Sequence, residues 1–394
     1  MNGRYTLFIR DEKGVRGTMI PGFSKLVISL SWLKASKFTI AGQCSGTIPL
    51  EDGNQIIIYR NGHQFLSGIV EKIEVECRNP DSDVRDWKAS GRDLSLIFGW
   101  RQVLPDPKEI TFDGETFDRV EDSAWNRLIH YIENSVGEGT IWDRQLFPLI
   151  LPNREDIGET ALSVFRNKKL DEALEEIGKD QDLVPYLERD DKTGDWRVEI
   201  VDARDMTDTV YFSPKFGNVL TWKRWSSIPE CNAVWVFSGD YSKGRLYVYA
   251  EDTESIEHYG RIEKIVSRMD IAPWEPDEEE EEEEEPKLSE EDVLVLLEQE
   301  AQSQLADHGR KQTWTVEAME TQRMAFMDQW QLGDLVTCIL DGDRFEAQIT
   351  SIKITYEKGV EKVEPTIGDV EHGLFGEIFK LIRELDERIT DVEN

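Results

Sequence analysis

The chain has 394 residues, 39% hydrophobic and 32% charged, with 12 tryptophans spread along it. That is enough apolar matter for real cores, which excludes wholesale disorder, and the length suits two to four domains. Its 46 basic and 80 acidic residues give a net charge of −34, a field that repels nucleic acid instead of gripping it.

The run Asp277–Glu285 supplies nine of those negative charges, so the acidity belongs to the rest of the chain as well. Cys44, Cys77, Cys231 and Cys338 lie far apart with no CxxC pair. Reduced thiols are expected, not a zinc knuckle or a disulfide framework. The N-terminal stretch MNGRYTLFIRDEKG lacks a signal-peptide pattern, and no apolar run approaches the ~20 residues of a membrane helix. Folding in a cytoplasm is the expectation.

In chain order, Arg4–Arg10 reads as a first strand, Asp11–Gly14 as a turn and Gly17–Phe23 as an extended connection. Lys25–Leu33 and Lys37–Gln43 are further strands, with Phe38 and Ile40 on one face. Ile56–Arg60, Asn61-Gly62 and Phe65–Glu76 make a hairpin, since Asn and Gly both tolerate positive φ. Trp87–Ser90 is a third strand, Gly91-Arg92-Asp93 a corner, and Leu94–Phe98 a short helix. Five to seven short antiparallel strands in residues 1–104 predict a barrel or sandwich.

Residues 105–182 form a mainly helical inserted domain. Asp118–Val136 carries apolar residues at 120, 124, 125, 128, 129, 132 and 136, a helical period, with Asp122 or Ser123 as N-cap and Gly137 just past the end. Trp142–Gly158 is irregular, and Lys169–Asp180 is a second amphipathic helix. Residues 183–272 read as the first part of a second β-rich domain, comparable in size and texture to the first, which residues 289–370 complete. Leu183–Glu188, an edge strand by its Pro185, pairs with Trp196–Val201. Asn218–Lys223, Ala233–Gly239 and Arg245–Ala250 follow, and Ile256–Tyr259 pairs with Gly260–Met269. No internal repeat aligns.

Residues 273–288 are an acidic loop whose like charges cannot pack. Residues 289–370 begin with a capping-box start at Ser289 and a helix over Val293–Ala306. Trp314–Met319 and Asp334–Leu340 are strands, Asp341-Gly342-Asp343 turns into Arg344–Tyr356, and Gly359 turns into a last strand ending near Pro365. Residues 371–394 form a C-terminal helix. Leu374, Ile378, Leu381, Leu385 and Val392 give it a heptad seam, for docking on its own domain or for a small symmetric coiled coil.

The sequence carries no HExxH, GxSxG, GxxxxGK[ST] or GxGxxG pattern. Of the five histidines, His63 reads as surface and His130 as a satisfied mid-helix histidine; His258, His308 and His372 stand beside no motif. Asp334 after Gly333 reads as a turn aspartate, and the carboxylate pairs Asp171/Glu175 and Glu290/Asp292 as solvated helix faces. No catalytic, metal or cofactor residue is therefore assigned, and the acidic tract lacks the kinked spacing of a calcium loop.

The order of certain pieces resembles the tail or baseplate hub proteins of long-tailed phages, the siphophage Gp37-like or tail-associated hub family with its gp27-like hub fold. The pieces are Ile56–Gly68 (IIIYRNGHQFLSG), Ala89–Leu94 (ASGRDL), Arg101–Pro105 (RQVLP), Lys215–Leu220 (KFGNVL), Glu230–Gly239 (ECNAVWVFSG), Trp330–Val336 (WQLGDLV) and Pro365–Gly368 (PTIG). Together they span most of the chain, and the tract Asp277–Glu285 departs from the pattern as an insertion.

The resemblance implies an α+β, mainly β fold. Two tube-like antiparallel β-barrel domains carry an inserted small helical domain, a further β/α portion and a C-terminal helix. It implies a homotrimer whose six barrels cap a hexameric tail tube around an axial channel for DNA. Partners would be the tail tube or distal tail protein, the tape measure protein and a tail fibre or tip protein. The implied location is the virion tail, assembled in the host cytoplasm. Some relatives carry a C-terminal hydrolase or fibre; from this sequence itself no enzyme domain after the last helix, no membrane anchor and no specific nucleic-acid binding are expected. A peptidoglycan-degrading tail enzyme and a carbohydrate-binding or host-adhesion module are the competing readings.

Overall fold

Period-two alternation of apolar and polar residues governs most of the chain, and strands dominate accordingly. The structure is a computed structural model describing residues 4–77, 83–108, 117–165, 168–179, 181–240, 243–269, 271–273, 288–318 and 324–368. The expected C-terminal helix and the acidic tract lie outside the described residues.

The first strands are β1 (Tyr5–Arg10), β2 (Arg16–Met19), β3 (Phe23–Ser31), β4 (Lys37–Ser45), β5 (Gln55–Arg60), β6 (His63–Glu76) and β7 (Val84–Asp93). A short 3-10 helix, Leu94–Trp100, follows. Next come β8 (Asp118–Ser123), α1 (Ala124–Val136), β9 (Leu149–Ile150), β10 (Thr160–Phe165) and α2 (Leu170–Lys179). The hairpin β11 (Leu183–Arg189) and β12 (Trp196–Asp202) leads to β13 (Tyr211–Phe212) and β14 (Val219–Ser226). Then come β15 (Ala233–Ser238), β16 (Tyr247–Glu251), α3 (Thr253–Tyr259), β17 (Glu263–Arg268) and α4 (Glu290–His308). The chain closes with β18 (Gln312–Ala318), β19 (Leu335–Leu340), β20 (Asp343–Glu357) and β21 (Val360–Gly368).

One 13-stranded sheet runs in the order β14-β18-β21-β20-β3-β4-β7-β6-β5-β1-β2, with β19 and β13 branching from β20. The mainly β, α+β architecture agrees with the sequence reading, but the two tube-like barrels do not close among the described residues. The reason is β20. It is 15 residues long, pairs with β19 in its first half, and lies between β21 and β3 in its second. The N-terminal strands and the C-terminal strands therefore join across β3 and β20. One core serves both, from Leu7, Leu26, Phe38 and Ile56 to Trp314, Val336, Ile352 and Ile367.

The expected hairpin turns form. Asn61-Gly62, Asp341-Gly342 and Lys358-Gly359 all take positive φ at both positions, the condition for a tight two-residue hairpin. Gly91-Arg92-Asp93 is not a corner: it is the end of β7, paired with both β4 and β6. The register of β6 shifts between Val70 and Lys72, opposite Gly91, which marks a β-bulge. An added Cβ at Gly91 would sit 1.8 Å from the Ile69 carbonyl oxygen and 2.7 Å from the Phe38 ring. Glycine is there for close approach, not for a turn.

Asp118–Val136 also differs from expectation. Its first six residues form β8, paired along its whole length with β10, and the helix starts only at Ala124. Ser123 caps α1 by accepting from the Asn126 N–H, and Gly137 follows the last turn. Ladder bonds to Thr160–Phe165, remote in sequence, outweigh the helical period there. The expected pairing of Ile256–Tyr259 with Gly260–Met269 gives way to α3 and a strand, β17, that runs parallel to β15. Asp252 accepts from the Ser255 N–H and so starts α3 as an N-cap.

Candidate assembly surfaces

Two smaller bodies pack beside the main sheet. In the first, α1, α2 and the β11-β12-β9 sheet share a core that includes Leu128, Ile132, Leu174 and Trp196. It is stitched to the main sheet by Arg10, a buried guanidinium that donates to the carbonyls of Gly14, Asp190 and Arg189 and to Ser67 Oγ. Burial, then the charge of Arg189, pulls its pKa down to about 10. Tyr59 donates its hydroxyl to Asp191 at the tip of the same hairpin.

The second body is the three-stranded sheet β16-β15-β17, backed by α4. The inner face of β15 puts Val234 and Val236 against Val293 and Leu297 of the helix. Ser289 and Asp292 form a reciprocal capping box at the start of α4. The helix also binds the first body: Arg119 donates to Asp292 at 3.2 and 3.3 Å, and Lys179 pairs with Asp307.

The residues weighed earlier for chemistry do not converge. His63 is exposed at the start of β6, just after the Asn61-Gly62 turn. His130 is half-buried, with Nε2 2.7 Å from Asp118 and 3.2 Å from Asn134. His308 contacts Glu230 at 2.5 Å and Lys264 at 2.8 Å, at the far end of α4, and His258 is exposed on α3. His372 lies outside the described residues. Asp334 is buried and receives a two-pronged bond from Arg204 at 2.8 and 2.7 Å plus the Gln331 N–H, so it fixes a turn before β19. Asp171, Glu175, Glu290 and Asp292 sit on helices α2 and α4, Asp292 as a capping residue. Among the described residues no cluster of His, Cys, Asp or Glu gathers to hold a metal ion.

The surface shows something different. On the outer face of the small sheet, the Trp235 ring meets Tyr249 at 4.5 Å and Tyr247 at 5.9 Å in tilted pairs, and Phe237 lies 5.8 Å from Tyr247. Ile265, opposite Trp235 on β17, is 70% exposed. A second apolar patch lies on the first body. Trp142 and Phe147, 66% and 60% exposed, meet at 5.2 Å, with Ile150 and Trp100 also exposed. The two segments carrying these residues are tied together: Arg144 donates to the Gln102 carbonyl at 2.6 Å, and Arg101 to the Arg144 carbonyl. Patches of this kind on a folded surface mark interaction sites.

Sequence reading missed both patches. A signal was present in AVWVFS and YVYAE, whose apolar residues occupy successive positions, as in strands covered on both faces.

A model of the siphovirus ReqiPepy6 Gp37-like protein family matches residues 6–369. The chain belongs to this family. Among solved structures it is similar to a tail protein from Neisseria meningitidis MC58, with 16% identity over 93% of this chain and 96% of that one and a TM-score of 0.57. The prophage MuSo2 43 kDa tail protein from Shewanella oneidensis matches at 13% identity, 92% and 97% coverage and TM-score 0.57. The prophage tail protein gp18 from Listeria monocytogenes matches at 12% identity, 97% and 99% coverage and TM-score 0.52. These likenesses cover nearly the whole of each chain, and the Gp37-like protein thus has the fold of phage tail proteins. No curated protein matches it.

Proposed function

We propose that this chain is a structural hub of a phage tail or tail-like particle, forming a trimeric ring that caps the tail tube and connects it to tip or fibre proteins. The observation that carries the reading is the composition of the main sheet. Its path divides into seven strands from the N-terminal part, β1 to β7, and six from the later part, β13, β14 and β18 to β21. Two mainly antiparallel groups of similar size per chain give six in a ring of three, which suits the six-fold end of a tail tube. A cyclic, head-to-tail arrangement can make that match, and an isologous dimer cannot.

In this reading the tail tube or distal tail protein meets one rim of the ring. The tape measure protein and a fibre or tip protein are the further partners. The acidity has a use there: a lumen of the same sign as DNA does not trap a passing genome. The chain acts by assembly and not by catalysis.

Mass measurement in solution combined with negative-stain imaging tests the ring. Trimeric rings are expected; a monomer that never forms rings with tube or distal-tail protein would refute the reading. Lysis of purified cell walls by the protein would show instead that it is a tail enzyme.

A further inference from the structure

The two exposed apolar patches are the features that neither the cores nor the hub reading has used. One is the outer face of the β16-β15-β17 sheet, where Tyr247 and Ile265 are exposed and Trp235, Phe237 and Tyr249 are half-buried. A sheet with one face on the core ordinarily turns polar residues outward, and here the outward residues are aromatic. The other patch, Trp100, Trp142, Phe147 and Ile150, lies on the first body. The sheet face points away from α4, whereas α4 itself is bonded to the first body through Arg119–Asp292 and Lys179–Asp307. The patches are therefore separate surfaces of one chain.

Their electrostatics are complementary. Beside the second patch stand Arg101 and Arg144, which donate to backbone carbonyls and meet no carboxylate among the described residues. Arg101 Nε and Arg144 Nη1 are buried without any partner. In a chain of net charge −34, two neighbouring half-buried guanidiniums that pair with no carboxylate leave a local excess of positive charge beside the patch. The rim of the sheet face is acidic. Glu251 and Glu263 share one arginine, Arg261, and Glu254 and Glu257 on the adjoining α3 add more acid.

We infer that the aromatic sheet face of one copy docks on the Trp142–Phe147 patch of the next copy, with the acidic rim against Arg101 and Arg144. The occupant is a second copy because a head-to-tail ring needs two different, complementary surfaces on every chain, and this chain has them. Aromatic anchors surrounded by a charged rim are the usual anatomy of such a contact. This inference rests on the ring reading above and names the surfaces that close the ring.

Size-exclusion chromatography with light scattering on the full chain tests it. Ile265→Lys disables the sheet face and Trp142→Glu disables the second patch. Both positions are exposed, so each variant keeps the wild-type melting temperature and circular dichroism. Each variant alone is expected to lose every species above the monomer at a concentration where wild type assembles. An equimolar mixture is expected to give a dimer of one copy of each and no ring, because only one intact face then meets one intact patch. Wild-type assembly by either variant, or a mixture that stays monomeric, would overturn the contact while leaving the ring standing. So would an Ile265→Lys protein that assembles normally but no longer binds host cell-wall polysaccharide, since the face would then be a sugar platform. A monomeric wild-type chain would overturn the ring reading itself, and this contact with it.

Discussion

Replacing Gly91 with alanine should be among the most damaging single-methyl changes in this protein. The added Cβ would lie 1.8 Å from the Ile69 carbonyl oxygen, 2.8 Å from its carbon and 2.7 Å from Phe38 Cζ. Ordinary contact is about twice the first of these distances, so β6 and β7 must separate at the bulge. Overpacking of this kind costs roughly 1–3 kcal/mol. Loss of two ladder hydrogen bonds adds about 1 kcal/mol each. The expected total is about 3–5 kcal/mol.

Gly62→Ala is the control. Gly62 has φ +85° and nothing within 4 Å of an added Cβ, so only backbone strain of about 1–2 kcal/mol applies. Urea titration followed by tryptophan fluorescence measures both changes, with Trp87 on the affected strand. Shortening Phe38 to leucine in the Gly91→Ala background should not restore stability, because the nearest obstacle is a backbone oxygen. If Gly91→Ala and Gly62→Ala shift the midpoint equally, or if the Phe38 change rescues, the close-approach argument is wrong.

Arg204→Ala should cost about 1–3 kcal/mol by the same titration. It leaves the buried Asp334 carboxylate with only the Gln331 N–H, and the half-exposed arginine limits the loss; an unchanged midpoint would show that the pair contributes nothing. A pH effect is expected at Asp93, where burial pushes the carboxyl from 3.8 up to about 6. A raised folded pKa means that the folded state holds its proton more tightly, so this contribution is present below the unfolded value and is lost as pH rises through about 6. Between about pH 5 and pH 7.5 wild type should lose on the order of 1 kcal/mol more stability than Asp93→Asn; parallel pH profiles would count against it. Among the thiols, Cys77 is exposed, whereas Cys338 is buried and pushed up to about 12. Mass spectrometry after brief alkylation should find Cys77 modified and Cys338 untouched, and early labelling of Cys338 would contradict its burial.

Much of the local structure was legible from residues alone. Positive φ at Asn61-Gly62 and Asp341-Gly342 follows from side-chain chemistry, which needs no knowledge of the rest of the fold, whereas positive φ at Lys358 does not. The caps at Ser123 and Ser289 are equally local, since a hydroxyl reaches the N–H three residues on. What pairing partners decide was not legible. The helical period of Asp118–Ser123 yields to six ladder pairs with β10, and Gly91 is required by the Ile69 carbonyl, a neighbour only after the sheet forms.

The same division applies to function. Composition and motif spacing determined that this is a strongly acidic, mainly β chain without a catalytic motif, and the order of short pieces pointed to its family. Only tertiary structure decided that residues near position 27 and position 355 share one sheet through β3 and β20. It also decided which aromatic residues remain on the surface after the cores are filled. Period-two patterning says that a residue faces one side of a strand, but not whether anything covers that side. Trp235 and Tyr249 have rings large enough to fill a core, and it is the packing of α4 on the opposite face that leaves them outward.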